Sequence, residues 1–195
     1  MPPMDLGRVD RVTLGALLDA TGTAAGEVAS HLAGLTPAER SSECLALSAG
    51  RLRRLWELAS TTAVASAGEL LTETTAAFTG RNSLRLFSRF EKWFARQHGA
   101  VVGCNRHPLS PLIGPGYFTV RDGVSPGLEF DYGSVPAQAP PGWPPVKANT
   151  GALAGPVYGD LLDRVAWISP DVLVGAAFRD GRPLDSYFVL VRTAR

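Results

Sequence analysis

Lysine, cysteine and methionine are all scarce in this sequence. Only Lys92 and Lys147 are lysines among 19 basic residues, and there are two cysteines and two methionines. Two cysteines, Cys44 and Cys104, exclude a disulfide-stapled scaffold. There is no run of 18 uncharged apolar residues, which excludes a spanning helix. A surplus of one charge is missing too: the formal net charge is +1, and residues 1–99 carry 11 basic and 10 acidic side chains against eight of each in 100–195. Neither half has the asymmetry of a phosphate-binding domain, so no nucleic acid partner is expected. The start Met1-Pro2-Pro3-Met4-Asp5 lacks a basic patch leading into an apolar stretch, and the expected compartment is the cytoplasm.

What is present describes a globular chain. The 195 residues are 45% hydrophobic and 19% charged, enough to bury roughly 70% of the unfolded surface on folding. The abundance of Arg, Ala, Gly and Pro is a pattern associated with high-GC bacterial genomes.

The first half reads in helical periods. Leu14, Leu17 and Leu18 recur at i, i+3 and i+4, and Val28, His31 and Leu32 share one side of a second short helix over 26–35. Thr36-Pro37-Ala38-Glu39 is a capping box with proline at the first helical position, so a helix should begin at Pro37. Leu52, Leu55, Trp56 and Ala59 mark a further helix to about Ser60. The spacing of Leu84, Phe87, Phe90, Trp93 and Phe94 predicts another over 83–97, capped at Asn82-Ser83. Its opposite face carries Arg81, Arg85, Arg89, Lys92 and Arg96, read as a solvated face or as a surface for an acidic partner.

From Gly99 the period changes to two. Expected strands are Ala100 to Cys104, Tyr117 to Arg121, Leu128 to Tyr132, Val157 to Ile168, Val172 to Arg179 and Tyr187 to Arg192, with turn signals at Asp122-Gly123, Ser169-Pro170-Asp171 and Asp180-Gly181. On the last strands both alternating sets are apolar: Val172, Val174, Ala176 and Phe178 against Leu173, Gly175 and Ala177. Neither face can meet much water, so one should look into a barrel and the other should lie under the helices. The expected fold is therefore α+β: a helical segment 1–98 packed on an antiparallel β-barrel formed by 99–195. An open curved-sheet cone of the nuclear-transport-factor type is the runner-up.

The stretches Val157-Tyr158-Gly159-Asp160, Asp163-Arg164-Val165, Asp171-Val172-Leu173-Val174-Gly175 and Tyr187-Phe188-Val189-Leu190-Val191-Arg192 resemble the closing strands of small lipocalin-like barrels, in particular those of bacterial proteins of the GXWXG type. That resemblance implies a barrel that binds a small apolar molecule and implies no activity.

Candidate chemistry is confined to polar groups among apolar strand positions. His98, Cys104 and His107 match no standard zinc spacing, the glycine-bearing turns lack a phosphate-cradle pattern, and there is no Gly-x-Ser-x-Gly elbow; neither metal nor cofactor is expected. Tyr117, Asp131, Tyr158 and Asp160 are the candidate catalytic groups, able to give and take a proton if they face a desolvating interior. Arg164, Phe118, Phe130, Trp143, Trp167 and Phe178 are the candidate ligand contacts. Asp163 or Asp160 could instead form a structural ion pair with Arg164 or Arg192. The expected ligand is a small, largely apolar, carbonyl-bearing molecule, with a cofactor-independent cyclisation or isomerisation in bacterial secondary metabolism as the activity. The alternatives are a non-catalytic carrier or sensor of a lipid-like or aromatic ligand, and a partner-binding module using the basic face of 83–97. A homodimer is compatible with the sequence.

Overall fold

The computed structural model describes residues 11–61, 66–71, 74–84, 88–123 and 127–193. Four helices come first: α1 (Leu14–Asp19), α2 (Ala25–Ala33), α3 (Pro37–Leu45) and α4 (Ala49–Ala59). Their starts follow local chemistry. The Thr36 hydroxyl accepts from the Glu39 N–H at 3.3 Å while the Glu39 carboxylate accepts from the Thr36 N–H at 2.8 Å, and Thr13 and Ser48 cap α1 and α4 in the same sense. None of these helices is long and apolar enough to cross a membrane.

Eight antiparallel strands follow: β1 (Thr75–Asn82), β2 (Arg89–Gln97), β3 (Ala100–Arg106), β4 (Tyr117–Asp122), β5 (Leu128–Asp131), β6 (Leu161–Ser169), β7 (Val172–Arg179) and β8 (Arg182–Arg192). Each pairs with the next, and β8 returns to β1 from Phe78↔Arg192 to Asn82↔Phe188, closing the barrel and ruling out the open cone. Two four-residue helices, α5 (Ser110–Ile113) and α6 (Gly155–Tyr158), sit at the end we call upper. A 3₁₀ turn (Ala67–Leu70) lies at the lower end.

The two apolar faces of the last strands have the predicted destinations. Leu14, Val28, Leu32, Leu52 and Leu55 pack on Ala166, Val172, Val174, Val189 and Val191, the outer face of β6, β7 and β8. Arg40 of α3 ties this layer to the β6–β7 turn, donating to Asp171 Oδ2 at 2.6 Å and to the Leu32 and Leu35 carbonyls. The alternate set, with Phe78, Phe94, Phe118, Phe130, Val165, Leu173, Phe188 and Leu190, fills the barrel.

Three expectations are corrected. The helix expected over 83–97 is overturned by Arg89–Gln97, which is strand β2, paired on both sides with β1 and β3. Its Phe90, Trp93 and Phe94 can be drawn on a helical face, but pairing with β1 and β3 satisfies the backbone and sends Phe90 and Phe94 inward. No basic helix face therefore exists here; Arg89 and Arg96 are on the strand, and Arg85 and Phe87 lie outside the described residues. The barrel thus also uses β1 and β2 from the first half of the chain. Second, the strand expected from Val157 starts only at Leu161: α6 ends at Tyr158 and Asp160 adopts a left-handed conformation with φ 51°. Third, the barrel interior, implied by the resemblance to hold a small apolar molecule, is occupied by side chains at mid-height. Phe94 has its ring centroid 5.5 Å from Phe78, 5.7 Å from Phe118 and 5.3 Å from Phe130, so side chains meet across the axis.

Candidate functional site: a caged lysine beneath a rim cleft

The upper interior is built on three cross-strand pairs of glycine and phenylalanine. Gly80 faces Phe90, Gly103 faces Phe118 and Gly175 faces Phe188. A Cβ on any of these glycines would overlap the facing ring, so each missing side chain lets a ring lie down against the barrel wall. The space between the rings holds Lys92 of β2, which is 2% exposed. Its ammonium lies 4.8 Å from the Phe118 centroid, 5.1 Å from Tyr132, 5.4 Å from Phe188, 5.5 Å from Phe130 and 5.6 Å from Phe90.

Three polar groups match the three N–H bonds of that ammonium. Nζ donates to Asn105 Oδ1 at 2.8 Å, to the Tyr132 hydroxyl at 2.5 Å and to Asp163 Oδ2 at 3.2 Å. Tyr132 in turn donates to Asp163 at 3.2 Å and accepts from Asn105 Nδ2 at 3.0 Å. Burial pushes the Lys92 ammonium below its ordinary value, against the pull of the nearby Asp163. Burial likewise raises the Asp163 carboxyl, with Lys92 pulling it back, and holds the Tyr132 phenol well above its usual range. Both charged forms of the pair are weakened by the same desolvation.

Tyr158, at the end of α6, extends the cluster upward. Its ring stacks on Tyr132 with centroids 5.6 Å apart and planes 4° from parallel. It also lies against Gly116 (φ 52°), where a side chain would collide with the ring. The Tyr158 hydroxyl meets His107 Nε2 at 2.8 Å. His107 Nδ1 accepts from the Leu109 N–H at 3.1 Å, which leaves the proton of the neutral ring on Nε2, donated to Tyr158. Burial, and then the Lys92 charge, lower the His107 value and favour that neutral ring. Burial raises the Tyr158 phenol, keeping it protonated.

Above this network a cleft of about 820 Å³ opens between α5 and the proline-rich segment that follows β5. Phe90, Pro108 and Pro145 give it apolar walls; Asn105 and His107 connect it to the buried cluster; Arg89, Arg106 and Lys147 bring positive charge to its edge against Glu91.

The candidate residues divide on this frame. Tyr158, Phe118 and Phe130 belong to the cluster. Trp167 faces inward at the lower end, 6.4 Å from Phe78. The others are placed elsewhere. Tyr117 is on the outer face, donating to the Pro144 carbonyl at 2.5 Å and stacked on Trp143, which covers the barrel from outside. Asp131 points outward, where it accepts from the Gly133 N–H and the Ser134 hydroxyl and pairs with Arg121 at 3.2 Å. Arg164 is exposed on the outside, 4.4 Å over the Phe178 ring, and Asp160 is exposed beyond α6. Tyr158, Asp160 and Arg164 therefore do not converge, because the strand that would have aligned them begins three residues after Tyr158. The partner of Asp163 is Lys92 rather than an arginine. His98 sits in the β2–β3 turn at the lower end and His107 at the upper end; among the described residues no three His, Cys, Asp or Glu side chains are grouped to hold a metal.

Lys92, Asn105, Tyr132, Asp163 and His107 are not among the candidate catalytic or ligand-contact residues, although the sequence offers Asp163 as an ion-pair partner and Lys92 as part of a basic face. Their only local signal was a charged residue at an inward strand position, Lys92 between Phe90 and Phe94 and Asp163 between Leu161 and Val165. No family model, curated protein or solved structure matches this chain.

Proposed function

We propose that this protein binds a small, largely apolar, carbonyl-bearing molecule at the rim cleft and acts on it by cofactor-independent acid–base chemistry, an isomerisation or a cyclisation of the kind found in bacterial secondary metabolism. The observation that carries this reading is that two residues lining the cleft, Asn105 and His107, are hydrogen-bonded to the buried Lys92 and Tyr158. The resemblance of the closing strands to lipocalin-like barrels supports the binding half of it.

The roles follow from protonation states. Tyr158 stays protonated and receives a hydrogen bond from His107 Nε2, so its own O–H is the donor suited to an oxygen that gains negative charge. Lys92 and Asp163, each weakened as an ion by burial, are placed to exchange a proton directly or through Tyr132. The apolar walls hold the carbon skeleton and exclude water from the reacting carbon.

One observation favours a carrier or sensor instead: rings fill the mid-barrel, leaving the cleft rather than the axis for a ligand. Incubation with α-tetralone and 2-decanone in D₂O separates the readings. Under the catalytic reading, NMR shows deuterium entering the carbon next to the carbonyl, and Tyr158→Phe slows this by about 10²-fold or more. Calorimetric binding without exchange identifies the carrier; neither binding nor exchange defeats both.

A further inference from the structure

We infer that Lys92 is a nucleophilic amine that forms an imine with an aldehyde or ketone admitted through the rim cleft. This deepens the carbonyl-binding reading and rests on it. Two residues are shared by the cleft and the cage: Phe90 lines the cleft and covers Nζ at 5.6 Å, and Asn105 lines the cleft and accepts from Nζ at 2.8 Å. The cage and the cleft therefore adjoin. Phe90 is also the least enclosed ring of the cage: it is half-buried, whereas Phe118, Phe130, Tyr132 and Phe188 are buried. Its cross-strand neighbour is Gly80, which has no side chain to pin it.

Lys92, Tyr132 and Asp163 are already hydrogen-bonded to one another, and Tyr158 stacks on Tyr132. The Lys92 ammonium passes a proton to Asp163, and the free amine attacks the carbonyl carbon, forming the C–N bond as the carbonyl oxygen takes a proton from Tyr158. The resulting carbinolamine loses its hydroxyl as water, with Asp163 returning its proton by way of Tyr132 and the amine proton moving back to Tyr158. The sum is an ammonium and a carbonyl giving an iminium and water, with no redox change. The product keeps a single positive charge where the ammonium was, among the same rings and against the same carboxylate. A cage that already holds one cation thus holds the intermediate without rearranging its charges. The lowered Lys92 value supports the step, since burial disfavours the ammonium relative to the free amine.

The scarcity of lysine makes the test direct, because Lys147 is the single other lysine and serves with the N-terminal amine as an internal control. The folded protein is incubated at neutral pH with trans-cinnamaldehyde or α-tetralone and sodium cyanoborohydride, and the reduced adduct is located by peptide mass spectrometry, with calorimetry of the same probes run in parallel. The expected result is one equivalent on Lys92 in preference to Lys147 and the N-terminal amine. It should form faster in Phe90→Ala and be lost in Lys92→Arg. Calorimetric binding of a probe together with adducts only at Lys147 or the N-terminus, or at Lys92 only after unfolding in urea, overturns the imine and leaves the carbonyl-binding reading standing. Absence of calorimetric binding by both probes, with no Lys92 adduct, overturns both.

Discussion

The lower and upper halves of one barrel interior solve the same packing problem with different chemistry. Below, Phe78, Phe94, Val101, Val120, Leu128, Val165, Leu173 and Leu190 form an apolar core with Leu70 and Leu71. Above, the inward positions of β2, β3 and β6 are Lys92, Asn105 and Asp163, and Tyr132 follows β5. An apolar upper layer would be at least as stable, since the attraction within a buried ion pair seldom exceeds the desolvation of both charges. The lower half is packed by apolar contacts, and the upper half keeps a buried ion pair and its polar partners at some cost to stability.

Breaking one partner in each half tests that division. Phe94→Ala removes the ring that touches Phe78, Phe118 and Phe130, and chemical denaturation should show a loss of about 3–5 kcal/mol. Asp163→Leu leaves Lys92 buried without its counter-charge and should cost about 3–5 kcal/mol, while Lys92→Met combined with Asp163→Leu should return to wild-type stability or exceed it by about 1–4 kcal/mol. If the double variant is as unstable as the single one, the upper network is a stability device and the contrast fails. Gly175→Ala forces the Phe188 ring away from the wall and should cost about 1–3 kcal/mol by the same assay, with Lys92 becoming more accessible to amine reagents. The smallest effect belongs outside the barrel: Thr36→Ala removes a cap from α3 and should cost about 1 kcal/mol without altering ligand binding.

The parts of the fold legible in the sequence are those whose cause is local. Thr36, Pro37 and Glu39 announce a helix start within four residues, and β7 is readable because both its faces are apolar. Strand β2 was obscured by the feature that matters most. A lysine at an inward position breaks the two-residue alternation of Phe90 and Phe94, and Trp93 on the outer face completes a false helical stripe. Strand β1, Thr75–Asn82, offers one large apolar side chain, Phe78, and takes its structure from β2 and β8 rather than from its own residues. The site is non-local by construction: Lys92 finds Asp163 71 positions away, and the three glycines that make room for the cage are 23 and 72 residues apart along the chain. Phe118, Phe130 and Tyr158 could be nominated as ring-bearing residues in a strand-rich region. What they surround could not, because closure of the sheet brings the pieces together.

That closure has one more consequence. With β1 held by β2 on one side and β8 on the other, the described strands form a ring with no open edge onto which another chain could add. Association between copies through the described residues would use side chains of the outer wall or of the helical layer, so it would respond to point changes there and leave the backbone pairing of each copy intact.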